Sequence, residues 1–166
     1  MKMKKFFKLN INLTSLELKL VIVGFLGLTP FIFGLIDLII NKSNYFFLIN
    51  IPKVYGVIIF TFLGGIYWGM ILNPTNSISI SKNLLNCTIL WSITPSILGL
   101  IIFTIDTSYS LIFLSFGFGL CQTIDEIFYK RSFFSYNYIV MRRILSFFVI
   151  SILIFSYFLI QIHYIS

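Results

Sequence analysis

The stretch Tyr55-Gly-Val-Ile-Ile-Phe-Thr-Phe-Leu-Gly-Gly-Ile-Tyr-Trp-Gly69 carries no charge, and its reading decides the fold. In water a helix holding Gly56, Gly64, Gly65 and Gly69 would lose roughly 1 kcal/mol per glycine relative to alanine. In hydrocarbon the backbone must satisfy its own hydrogen bonds, which enforces the helix, and glycines then admit a close neighbouring helix. Gly65-Ile-Tyr-Trp-Gly69 is a GxxxG of that kind, and Tyr67 and Trp68 suit the membrane–water boundary. The stretch predicts a membrane helix whose packing residues are Gly56, Gly64, Gly65, Trp68 and Gly69.

The rest of the chain agrees in composition. Hydrophobic residues make up 58% and charged residues 10%, against about 25% charged in soluble domains. This is an all-α, polytopic membrane bundle, a single membrane domain over 1–166. Alanine is absent, so Gly and Ser take the small-residue roles, and the 20 Phe and 9 Tyr read as the bias of an AT-rich genome rather than as an aromatic site. The net charge of +7, on so little aqueous surface, indicates orientation and contact with anionic lipid. No recognition motif accompanies it, which argues against nucleic acid.

Upstream of the central stretch, residues 1–19 form a basic segment that opens like a signal-peptide n-region. It lacks a small-x-small cleavage site, so it reads as a retained segment with room for a short interfacial helix. A first span over 20–40 contains Pro30, which should kink the helix near Leu26, with the Thr29 hydroxyl or a neighbouring helix able to satisfy the freed carbonyl. Asn41, Lys42, Asn50, Pro52 and Lys53 read as a polar linker, with Tyr45-Phe46-Phe47-Leu48 at the interface, before a second span over 54–72.

Downstream, Asn73-Pro74-Thr75-Asn76-Ser77 is a turn signal and Ser77 to Ser81 an extended loop. A third span over 84–105 holds Thr94-Pro95. Asp106-Thr107-Ser108 is a tight connection in which Asp106 or Ser108 can cap a fourth span, 109–124. A polar, mostly basic segment from Asp125 to Arg143 leads to a fifth span, 144–162. Five spans place the termini on opposite sides. The N-terminal segment, second loop and fourth loop carry ten Lys and Arg against two on the other side, so the N-terminus should be inside and the C-terminus outside.

Four pieces of this sequence resemble the family called domain of unknown function 3429, which includes bacterial membrane proteins and the eukaryotic transmembrane protein 69. They are Leu26-Gly-Leu-Thr-Pro-Phe31; the run Phe62 to Gly69; Thr94-Pro95-Ser96; and Asp125 followed by Tyr138-Ile-Val-Met-Arg142-Arg-Ile-Leu145-Ser146. The last is similar to the family's Tyr-x-x-Leu-Arg-x-x-Leu-Thr, with Met141 and Ser146 at two changed positions. The resemblance implies an architecture and an address, the bacterial cytoplasmic membrane or the mitochondrial inner membrane in eukaryotic relatives. It implies no reaction.

Four residues form the candidate polar site. Asp125 and Arg142 sit at the same end of successive helices and can approach as an ion pair, an interhelical clamp or a charge relay. Tyr138 joins them through the motif. Asp37 is the one carboxylate placed inside an apolar span, close to its outer end. Pro30 and Pro95 each follow a threonine and are candidate helix kinks, which in transporters can expose backbone to a substrate. Cys87 and Cys121 lack ligand spacing and His163 is distant, so no metal, cofactor or catalytic set is assembled. The reading that results is a non-catalytic protein acting by helix packing with itself or with membrane partners. The alternative is a small carrier or proton-coupled channel using the intramembrane Asp residues and the proline-broken helices.

Overall fold

The computed structural model describes residues 15–40, 46–72, 82–131 and 133–165. The expectations for the first fourteen residues, Asn41 to Tyr45, and the turn and extended segment over Asn73 to Ser81 lie outside the described residues, as does the side chain of His163. Among the described residues six helices follow in order: α1 (Ser15–Leu26), α2 (Thr29–Ile40), α3 (Phe46–Leu72), α4 (Lys82–Thr104), α5 (Thr107–Lys130) and α6 (Tyr136–Ile165). Together they give five spans long and apolar enough to cross a membrane, because α1 and α2 form one span from Leu18 to Ile40. The shortest spans have 23 residues, roughly 34 Å of helix against a hydrocarbon core of about 30 Å. Large apolar side chains such as Phe33, Phe62, Leu72, Leu90 and Phe116 cover the outside. That surface suits lipid and would be ruinous in water.

The first span is broken where its proline predicts. Pro30 has no N–H for the Leu26 carbonyl, and the Thr29 hydroxyl donates to that carbonyl at 2.7 Å. Leu28 N–H tightens the turn onto Phe25 O at 3.0 Å, and the helix resumes with Ile32 N–H on Leu28 O. Pro95, by contrast, lies inside an unbroken α4.

Two segments read as polar connections are helical. α3 begins at Phe46 and runs through Asn50, Pro52 and Lys53. Its proline ring seats on α2 at Gly34, where a Cβ would overlap it. Asn50 accepts from the Thr107 hydroxyl at 2.6 Å. The Lys53 ammonium donates to Ile105 O at 2.5 Å and lies 5.7 Å from the Phe103 ring centroid. These three residues thus bind α2 and the α4–α5 turn. Likewise α5 continues to Lys130 and α6 begins at Tyr136, so Asp125, Glu126, Arg142 and Arg143 are helical. Asp106 holds the N-cap position of α5 without a side-chain cap bond; the Ser110 hydroxyl bonds Ile102, Ile105 and Asp106 carbonyls instead.

Contact registers give the topology. α3 and α4 pair antiparallel through Gly64 on Ser92 and Gly99 on Thr61, and α5 and α6 through Asp125 on Arg142 and Gln122 on Ser146. α3 and α5 run parallel, with Gly56 against Leu114 and Phe60 against Gly117. The core is a seam of heptad-like spacing, Leu111, Leu114, Phe118 and Cys121 on α5 and Ile139, Val149, Leu153 and Ile160 on α6. Phe118 meets Phe31 and Phe60 edge-on at 6.4 and 6.0 Å.

Candidate functional site

The buried stripe of α5 runs Leu111, Leu114, Phe118, Cys121 and then Asp125, so the helical repeat carries a carboxylate into the core seam. On α6 the same repeat aligns Ile139, Arg142, Ser146 and Val149, and on α3 it aligns Phe60, Leu63 and Tyr67. The three polar members meet at the end of the bundle where α1 begins. Arg142 directs Nε and Nη2 onto Asp125 Oδ2, each at 2.9 Å. The Tyr67 hydroxyl donates to Asp125 Oδ1 at 2.6 Å. Asp125 is 3% exposed, Arg142 8% and Tyr67 2%. Both carboxylate oxygens therefore have partners, one of them a charge-assisted fork, in a place where an unpaired charge is very costly.

An aromatic wall encloses the pair. The Tyr67 ring centroid lies 5.0 Å from that of Phe128 and 6.2 Å from that of Phe134, Phe133 meets Phe128 edge-on, and the Tyr138 ring lies 4.8 Å from Phe134. The Tyr138 hydroxyl is buried and has no hydrogen-bond partner among the described residues. Outside this wall a second pair repeats the first one residue on: Arg143 reaches Glu126 at 2.5 and 2.7 Å. Gln122 donates to Glu126, and Ser146 donates to Gln122, both at 3.1 Å. Two adjacent acids on α5 thus face two adjacent arginines on α6, one pair buried and one half-exposed.

The other residues singled out from the sequence fall elsewhere. Asp37 is half-buried on α2 toward the opposite end of the bundle, in a groove with Pro30, Gly34 and Ile51. Gly56 meets Phe31 and Leu114, and Gly64 meets the Ser92 carbonyl and Pro95. Gly65 and Gly69 face outward with nothing within 4 Å of a Cβ placed on either. Trp68 is half-exposed, and its indole N–H donates to the Ser92 hydroxyl, tying α3 to α4. Tyr67, placed by its sequence at the membrane boundary, is interior. Its spacing from Phe60 and Leu63 was the available signal. For Glu126 and Arg143 the signal was adjacency: two acids followed by two arginines in an antiparallel hairpin must meet in the same register.

Among the described residues no cluster of His, Cys, Asp or Glu could hold a metal ion. Cys121 adjoins Asp125 one turn back and is buried, while Cys87 is exposed on α4. The arrangement fastens α3, α5 and α6 through one carboxylate. No curated protein and no solved structure matches the chain. The family model described as Protein of unknown function (DUF3429) matches residues 17–158, a range that takes in Tyr67, Asp125 and Arg142, and the chain therefore belongs to the DUF3429 family.

Proposed function

We propose that this membrane protein is a non-catalytic scaffold of the cytoplasmic membrane, with its N-terminus inside, which works by presenting a braced helical surface to other membrane proteins or to a second copy. The supporting observation is that the deepest carboxylate, Asp125, has both oxygens engaged by Tyr67 and Arg142. A charge so held braces helices; a coupling carboxylate in a carrier must instead exchange partners as it loads and unloads. The surface offered is the outer face of α3, where Ile58, Phe62, Gly65, Gly69 and Leu72 line up exposed. Gly65→Leu is expected to leave the monomer folded and to abolish copurification of its partner or self-association in mild detergent. Proteoliposomes carrying the wild-type protein are expected to show no pH-driven flux. Flux that disappears in a folded Asp125→Asn variant would overturn the reading in favour of a carrier.

A further inference from the structure

Glu126 and Arg143 repeat the construction of the buried pair on the outward side of the α5–α6 hairpin, and the repeat is open where the first is closed. Arg143 sets Nε on one Glu126 oxygen at 2.5 Å and Nη2 on the other at 2.7 Å. A guanidinium carries five N–H donors in a planar fork, so this side-on grip leaves the Nη1 edge unengaged by the carboxylate. The Tyr129 ring centroid lies 6.0 Å from the guanidinium carbon and Gln122 donates to Glu126 at 3.1 Å, which holds both members in place. The Arg143 side chain is 47% exposed, against 10% for Arg142. Lys130, on the face of α5 that carries Glu126 by its spacing of four, and Arg131 at the C-cap are both exposed. Among the described residues neither forms an ion pair. One acid of this patch therefore stands against three cations. The charge-free run of α6 from Ile144 to Ile162 is roughly 28 Å long, close to a hydrocarbon thickness of about 30 Å, so Arg143 stands at the edge of the bilayer core and Lys130 among the headgroups.

A preset guanidinium edge with excess positive charge beside it, at headgroup depth, is complementary to a phosphodiester that brings no cation of its own. Arginine reads such a group through two N–H donors at once, which a lysine cannot do. We propose that the outward side of the α5–α6 hairpin is a headgroup site for an anionic phospholipid, with the phosphate on the Nη1 edge of Arg143 and the Lys130 ammonium as the second cation. Glu126 orients the arginine from the far edge of its fork. Phosphatidylcholine fits less well, because its phosphate is already compensated by its own quaternary ammonium. A site built around one oriented arginine differs from the bulk attraction that any basic loop exerts, and the two predict opposite results for a charge-conserving substitution. The site is independent of the scaffold reading, and either can fail alone.

The test is native mass spectrometry of the full chain in detergent with equimolar phosphatidylglycerol and phosphatidylcholine of identical acyl chains. Wild type is expected to retain phosphatidylglycerol about tenfold over phosphatidylcholine, which corresponds to one charge-assisted contact. Arg143→Lys, which keeps the charge and loses the planar fork, is expected to remove most of that preference with an unchanged helical spectrum. Lys82→Gln, which removes a charge from the start of α4 at the same end of the bundle, is expected to leave it intact. Millimolar inorganic phosphate is expected to leave the lipid bound; its displacement would assign the patch to the free anion and refute the lipid site. Equal retention of the two lipids by wild type, an Arg143→Lys protein with the full preference, or a loss in Lys82→Gln as large as in Arg143→Lys also refutes it. Should Arg143→Lys fail to fold, Lys130→Gln replaces it, and a loss no greater than that of Lys82→Gln refutes the site.

Discussion

Asp125 and Asp37 are carboxylates of one bundle treated in opposite ways. Asp125 sits in the core seam of the most enclosed span, with a hydrogen bond and an ion pair from Arg142 and a hydrogen bond from Tyr67. Asp37 sits half-buried near a span's end, in a groove open to the surface. Depth explains the contrast. A charge far from water has to be neutralised by the fold itself, whereas one within a turn of the boundary keeps part of its hydration.

Breaking the deeper pair should have the largest effect. Asp125→Asn leaves the Arg142 guanidinium buried without its counter-charge, and the expected loss is about 3–5 kcal/mol of unfolding free energy in micelles, read by denaturant titration. Replacing both residues with leucine should restore most of it, since a packed apolar pair avoids the desolvation of two ions. Crowding the interior comes next. Gly117→Leu puts atoms where a Cβ already lies 2.8 Å from the Phe60 ring, and a loss of about 1–3 kcal/mol is expected from overpacking. Gly65→Leu on the open face should change stability by less than about 0.5 kcal/mol, although it is expected to cost association. Tyr67→Phe removes one donor from Asp125 and should cost about 1.5–3 kcal/mol, while Tyr138→Phe, which deletes an unpartnered buried hydroxyl, should be neutral or stabilising by about 1 kcal/mol. At the small end, Asp37→Asn on the half-buried end of α2 should shift stability by under about 0.5 kcal/mol.

The five spans and the break before Pro30 were legible because they rest on local facts, apolar length and a missing N–H. The start of α3 was not. Asn50, Pro52 and Lys53 each read as loop when taken singly, and what makes them helical is remote: Thr107, Gly34 and Ile105. The meeting of Asp125 and Arg142 could be anticipated from two helix ends sharing one side of the bilayer. Tyr67 was missed because an aromatic residue near a helix end also suits the interfacial belt, and only its spacing from Phe60 and Leu63 marks it as interior. The glycines teach the same lesson at finer grain. Gly64 and Gly65 are adjacent, yet about 100° of helical turn sends one against α4 and the other outward, a choice that composition does not make.

The most direct measurement is a double-mutant cycle on Asp125 and Arg142, with Asp125→Leu, Arg142→Leu and the double variant unfolded in the same micelles. A brace of the kind described predicts that the single variants each lose about 3–5 kcal/mol, that the double variant loses less than either, and that the pair therefore couples by about 3–7 kcal/mol. Single variants that fold within about 0.5 kcal/mol of wild type, with no coupling between the two positions, would contradict it.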